Sequence, residues 1–319
     1  MRVVVVTLFV VLLALCVGRP AKAYPWPVKP FDKPHAIRGA FDDPRFHLGS
    51  EGAFSVFHFG VDIAVRDGTP VYAVAPGFVR RRNTDVTVHR PNGRAFGYWH
   101  IRPVVRGGQH VRLHQLLGYV LPGWGHVHLA ESYLGSYRNP LRRGALTPFR
   151  DRTPPTVASI RLLSPDGRAV DFGHVTGSID AVADVYDAPP IAPRPPWDVA
   201  RLTPAAIWWR LVRAGVGVTD WNLVADFQFA LMPTGLYGFL YAPGTYQNKA
   251  HRPGSYLFWV THAFDTTSYP DGAYQLQVLA EDTRYNLGSS TVDFTIANGA
   301  PPVPPSLAPG MQSPLRQPY

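Results

Sequence analysis

Short apolar runs, broken by glycine, proline and small polar residues, carry the pattern of this chain from residue 56 onward. Residues 71–75 (Val-Tyr-Ala-Val-Ala) and 86–88 (Val-Thr-Val) are strand-length stretches at close spacing, and Pro91-Asn-Gly93 is a turn after the second. No helical period of useful length occurs here, so residues 24–150 are expected to form a compact, mainly antiparallel β structure. After the proline-containing linker Asp151-Arg-Thr-Pro-Pro155 a second series of strands begins at residues 156–163 and continues at 207–212, 256–260, 274–280 and 291–296. The last two alternate in side-chain character with period two, as half-buried strands of a sandwich do. The predicted class is all-β, with a second β domain over residues 151–298.

The two ends have different compositions. Met1-Arg2, an apolar run over residues 3–17 and the small-x-small ending Ala21-Lys-Ala23 describe a signal peptide, residues 1–23, cut after Ala23. The apolar run is shorter than the roughly 20 residues of a membrane span, so no stable span is expected after cleavage. Pro25, Pro27, Pro30 and Pro34 make the entry to the mature chain an extended, wrapping segment. Residues 299–319, with Pro301, Pro302, Pro304, Pro305 and Pro309, read as a disordered proline-rich tail. Cys16 is the only cysteine, and the mature chain would therefore have neither a disulfide nor a thiolate metal site. The formal charge is +9, to which residues 1–23 contribute Arg2, Arg19 and Lys22. A basic secreted protein is drawn to anionic polymers such as those of a cell wall. Arg80-Arg-Arg82 follows a strand and marks a solvated hairpin rather than a nucleic-acid patch.

Candidate chemistry is concentrated between Phe57 and Glu131. Three islands hold it: His58-Phe-Gly-Val-Asp62, Tyr98-Trp-His100 and His126-Val-His128. Histidine and carboxylate suit zinc, and a hydrolytic zinc needs three protein ligands and one open position. His126 and His128 lie one residue apart in a strand-like run, so their imidazoles leave the same face. His58 and Asp62 enclose Gly60, which lets the backbone turn so that both side chains converge. His89, His110 and His114 read as surface or supporting residues, and His35 and His47, which precede the motif, as residues that could line the groove.

In order, His58-x-Gly-x-Asp62, Asp67-Gly-Thr-Pro-Val-Tyr-Ala73, Gly77-Phe-Val79, Tyr98-x-His100 and His126-x-His128 resemble the M23 (lysostaphin-type, LytM) zinc metallopeptidases. The likeness extends upstream to Ala40-Phe-Asp-Asp-Pro-Arg45 and covers roughly residues 25–131. It implies a lysostaphin-type β domain in which His58, Asp62 and His128 bind Zn2+, with His100 and His126 as the catalytic histidines. The chain departs from the family pattern at Leu121-Pro-Gly-Trp-Gly125, where members usually have a longer Gly/Ser/Thr-rich loop, and at Leu129-Ala130, where an aromatic is usual. Trp124 could stack on a substrate or plug the shortened loop. Tyr98 reads as a packing residue or as a donor to the tetrahedral intermediate. Asp271-Gly-x-Tyr274 and Ala280-x-Asp-x-x-x-Asn286 resemble the end of bacterial immunoglobulin-like domains, which implies an immunoglobulin-like β-sandwich in the second half.

No catalytic cluster is legible in that half. Asp180, Asp184 and Asp187 suggest calcium or simple solvation, and the Tyr-, Phe-, Gly- and Pro-rich stretch 228–254 is a long excursion that either covers the groove, binds glycan or packs between domains. The expected function is that of a secreted, extracytoplasmic zinc endopeptidase acting on peptidoglycan. Its rivals are a non-catalytic wall-binding or regulatory protein on the same fold and a secreted zinc hydrolase of protein substrates.

Overall fold

The computed structural model describes residues 23–49 and 52–299; the expected signal peptide and proline-rich tail fall, but for residues 23 and 299, outside them. The chain is all-β and its paired strands are antiparallel; among the described residues the helical turns are Thr234–Leu236 running into Tyr237–Leu240, and Thr266–Ser268. An eight-stranded sheet runs β1 (Ile37–Gly39), β4 (Val61–Ala64), β12 (His126–Tyr133), β8 (Arg94–Trp99), β7 (Asp85–His89), β6 (Gly77–Arg81) and β10 (His110–Val111), with β13 (Ser136–Arg138) paired to β12. Against it lie a three-stranded sheet of β5 (Pro70–Tyr72), β11 (Leu116–Val120) and β9 (Ile101–Pro103), and a hairpin of β2 (Pro44–Gly49) and β3 (Gly52–Phe57).

Residues beyond the linker build a three-stranded sheet, β14 (Thr156–Leu163), β15 (Ser178–Tyr186) and β19 (Leu257–Asp265). A five-stranded sheet faces it, in the order β17 (Val216–Gly217), β16 (Ala206–Arg213), β20 (Gly272–Glu281) and β21 (Leu287–Ile296), with β18 (Asn222–Asp226) also on β16.

Burial explains this arrangement. Strand β12 is the inner strand between β4 and β8, and Val127 and Leu129 on it, like Val61 and Ile63 on β4, are fully buried. Burying each such side chain stabilises the fold by about 1.5–3 kcal/mol. The first core gathers Trp26, Val86, Phe96, Tyr98 and Ile101 around them. A second core holds Ile207, Phe227, Phe258 and Val278. The two cores exchange members, since Leu202 packs into the first and Phe57 into the second.

Pro91-Asn-Gly93 turns between β7 and β8, as its sequence predicts, and Arg80 to Arg82 lie at the β6–β7 hairpin. The proline-rich entry wraps: Tyr24 bridges to Leu146 and its hydroxyl donates to Glu131, while Trp26 is fully buried and donates to the carbonyl of Pro148. The carboxylate of Glu131 also takes Arg94 at 2.8 Å and Arg142 at 2.7 Å, which ties the far end of β12 to the entry segment. Among the described residues no helix is long and apolar enough to cross a membrane.

Candidate metal centre

Register builds this site. On β12, His128 lies opposite Asp62 of β4 and Trp99 of β8, and His126 lies opposite Ala64. Because strand side chains alternate, His126, His128 and Asp62 share one face, while Val127, Leu129, Val61 and Ile63 point into the core. His58 enters from the turn after β3. A Cβ on Gly60 would stand 2.5 Å from the carbonyl oxygen of Leu129 and 2.6 Å from His128 Nε2, so only glycine lets the chain pass this close.

Three donor atoms converge. His58 Nε2 is 2.8 Å from His128 Nδ1, and both stand 3.2 Å from Asp62 Oδ1. The edge of a zinc-type tetrahedron with bonds of about 2.0–2.1 Å is about 3.4 Å, so the triangle is already close to ligand spacing. All three residues are buried.

Protonation supports a cation there. His58 Nδ1 lies 2.6 Å from the carbonyl of Ala40 and 3.0 Å from Arg45 Nη2; the shorter contact, and the carboxylates that Arg45 has instead, put the proton on Nδ1 and leave Nε2 as a lone pair for the centre. His128 Nε2 is buried without a hydrogen-bond partner, so neither tautomer of His128 satisfies the ring within the protein. Burial pulls His128 down to about 4 and lowers His58, keeping both neutral. Burial would push Asp62 up, yet the surrounding imidazoles His58, His126 and His128 hold it well below the usual carboxylate range. Metal binding needs two neutral imidazoles and a carboxylate with lone pairs inward, so the proton that His58 Nε2, His128 Nδ1 and Asp62 Oδ1 share at 2.8–3.2 Å would leave as the ion enters. This buried His58-Asp62-His128 group can hold a metal ion.

His126 and His100 stand beside it. His126 Nε2 is 3.4 Å from Asp62 Oδ1, and its Nδ1 lies 2.7 Å from the carbonyl oxygen of Trp124. His100 follows β8 with φ +65°, a left-handed conformation that is costly for a residue with a side chain. It directs the ring to 4.7 Å from that of His126. Burial, and then the neighbouring His126, bring His100 down to about 3. Trp124 lies flat on His100 with ring centres 3.6 Å apart. Trp124 thus covers one face of a histidine and keeps part of its own ring exposed.

Two arginines complete the surroundings, and the motif reading did not assign them a role. Arg45 donates to Asp62 Oδ2 at 2.9 Å, which leaves Oδ1 for the centre, and it also meets Asp43 at 3.5 Å. Asp43 is fully buried and accepts the backbone N–H groups of Ala40 and Thr203, both at 2.8 Å. Arg38 reaches His126 Nδ1 at 2.6 Å and stacks 3.9 Å from the Trp197 ring centre. Asp42-Asp43-Pro44-Arg45, a short run of opposite charges just before the histidine motif, was the only sequence signal available for this layer.

Between the open alternatives for other residues the structure decides. Tyr98 is fully buried and its hydroxyl accepts from the backbone of Val74, so it packs the core and does not face the site. His35 packs on Trp26 and lies against the Pro30 carbonyl. Asp180 accepts from the backbone of Ala263 and Asp184 from Arg201. Asp187 instead joins Asp151 and Asp282 in a buried group that the sequence did not suggest, where burial and the charges of its two neighbours push it up to about 8. The 228–254 excursion packs on residues 38–43: Met232 donates to Asp42 Oδ1, Tyr241 to the carbonyl of Asp42 and Asn248 to that of Arg38.

No family model and no curated protein sequence matches the chain. Solved structures similar to part of it include Csd3 from Helicobacter pylori, at 23% identity and TM-score 0.32, covering 41% of this chain and 37% of that one. A zinc-containing peptidase from Vibrio cholerae is 22% identical over 35% of this chain and 37% of its own, with TM-score 0.28. A point mutant of the catalytic domain of the prophage-encoded M23 protein EnpA from Enterococcus faecalis is 23% identical over 37% of this chain and 98% of its own, with TM-score 0.29. The chain thus spans under two-fifths of the length of Csd3 and of the Vibrio cholerae peptidase.

Proposed function

We propose that this protein is a secreted zinc metalloendopeptidase that hydrolyses peptide bonds of bacterial peptidoglycan, with residues 24–150 as the peptidase unit and residues 151–298 as an immunoglobulin-like sandwich. The observation that carries the reading is the convergence of His58 Nε2, His128 Nδ1 and Asp62 Oδ1 within 3.2 Å of one another beside two further histidines. A zinc ion held by these three would supply Lewis acidity and a water that ionises near neutral pH.

The protein's own groups divide the remaining work. His126, with Nδ1–H donated to the Trp124 carbonyl, presents Nε2 as the base that takes a proton from water and returns it to the leaving amine. His100, neutral and locked beneath Trp124, donates to the oxygen that gains charge at the scissile carbonyl. Beside the centre, a hollow of about 330 Å³ lies over the eight-stranded sheet, lined by Arg80, Arg82, Thr87, Trp99, Ser132 and Tyr137. Its two arginines share the hollow with Asp85, and the net positive lining suits a substrate rich in carboxylates, as wall peptides are.

A zymogram with embedded cell wall, run with and without chelator, tests the reading. Clearing that chelator and His126→Ala both abolish supports it. Clearing of casein but not wall would assign protein substrates instead, and wall binding without clearing would assign a non-catalytic role.

A further inference from the structure

The contact between Arg38 and His126 cannot persist in the working site. An imidazole Nδ1 either carries a proton or offers a lone pair. The Trp124 carbonyl, 2.7 Å away, needs the proton; Arg38 Nη2, 2.6 Å away, needs the lone pair. A base that works through Nε2 keeps its proton on Nδ1 and gives it to Trp124. Arg38 then loses its acceptor.

Nothing else among the described residues replaces it. A guanidinium has five N–H donors. Among the described residues Arg38 forms no ion pair, and its side chain meets only the lone pair of His126 and the face of Trp197. Asp62 and Asp67 act on it only through space, and burial outweighs them, pulling it down to about 10. Its position is nevertheless fixed. It projects from β1, its carbonyl accepts from Asn248, and Trp197 holds the guanidinium flat from one side. A cation so placed, half-buried, next to the proton-handling histidine and short of acceptors, matches the planar two-oxygen geometry of a carboxylate.

We propose that Arg38, braced by Trp197 and Asn248, is a specificity-determining residue that binds a carboxylate of the substrate peptide next to the bond to be cleaved. This rests on the peptidase reading for the direction in which His126 works. Trp197 and Asn248 come from the second half of the chain, so that half helps to choose the substrate. The carboxylate belongs either to the peptide terminus or to an acidic side chain, and these are separable.

The test uses the full chain carrying His100→Ala, which leaves the Arg38–His126 contact untouched, and three stem peptides. One has all carboxyls free, one is amidated at its terminal carboxyl and one is amidated at its side-chain carboxyl. Calorimetry should show that one of the two amides binds about ten- to a hundredfold more weakly than the free acid, and which one it is identifies the source. Adding Arg38→Met should remove the preference, Arg38→Lys should retain part of it, and bound metal per chain should be the same in all three to show an intact centre. Equal binding of acid and amides, no binding of any of them, or an undiminished preference in Arg38→Met would overturn the proposal. Wall clearing in the zymogram together with equal binding would leave the peptidase reading standing without this one. Acid-selective binding without any clearing would keep Arg38 as a carboxylate-binding residue and overturn its place beside a cleaved bond.

Discussion

Trp124 lies on His100 with 3.6 Å between ring centres and 11° between ring planes, and it is itself 43% exposed. The stack covers one face of the imidazole while its edge stays turned to His126, 4.7 Å away. Such a pair is worth about 0.5–1.5 kcal/mol, and here its value lies in fixing a ring that the backbone already holds at φ +65°. Trp124→Ala should therefore lower kcat about tenfold, with little change in KM or in bound zinc. Trp124→Phe should recover most of the loss. A Trp124→Ala chain with unchanged kcat would show that His100 needs no lid.

Ligands and proton-handling groups should separate by metal content. His58→Ala, Asp62→Asn and His128→Ala each remove a converging donor, and each should leave the purified protein with far less than one zinc per chain. His100→Ala should keep its zinc and lose about 10²–10⁴-fold in kcat. Elemental analysis beside wall turbidity clearance reads both quantities. Equal zinc loss in all four variants would mean that the division of roles is wrong.

Arg45 stands between two buried carboxylates, at 2.9 Å from Asp62 and 3.5 Å from Asp43. Arg45→Met would strand both charges, at a cost of about 3–5 kcal/mol, as when one member of a buried pair is removed. Asp62 would also lose the contact that turns Oδ1 toward the centre, so zinc affinity should fall about 10–100-fold. Thermal unfolding and chelator competition measure the two effects, and normal zinc affinity in a destabilised variant would reduce Arg45 to a packing role.

Asp187 should make the fold lose stability as the pH rises from acid to neutral. Burial and the charges of Asp151 and Asp282 raise it to about 8 in the folded chain, against about 3.9 when unfolded. Below both values the group is protonated in either state. Between them only the folded chain keeps the proton, so stability falls as pH rises from about 4 to about 8, and then levels off. Asp187→Asn imitates the protonated form. Its Tm advantage over the parent should grow across that window and become constant above it; a flat difference would show that Asp187 is ionised in the fold.

The second half of the chain reaches the site at two points. The backbone of Thr203 donates to Asp43, which meets Arg45 and through it Asp62, while Trp197 and Asn248 hold Arg38 against His126. A chain cut after residue 150 would leave Asp42 and Asp43 without their partners Met232, Tyr241 and Thr203. It should yield either aggregated protein or a species with weakened zinc binding. A soluble 24–150 fragment with full zinc affinity would contradict this.

How much was legible in the chain follows from how local each signal is. Strand runs, the turn at Gly93, and the shared face of His126 and His128 depend on residues within a few positions of one another, where period and turn chemistry act. Gly60 belongs with them, because a turn without a Cβ is a local demand. The ordered motifs also named His58, Asp62 and His100 as companions, though the spacing alone held no distances. Tyr98 could not be assigned from its place beside His100: alternation along β8 does not extend through the left-handed residue that follows, and the hydroxyl turned inward to Val74.

The sequence by itself determined the all-β class and the five site candidates, because hydrophobic alternation and closely spaced ligand motifs are properties of neighbouring residues. Only the tertiary structure decided which charges and rings surround them. Arg38 meets Trp197 across 159 residues and Asp43 meets Thr203 across 160, and no local preference of the chain selects such partners. They were chosen by the packing of two cores against each other, which buries Asp43 and leaves its carboxylate no water to turn to.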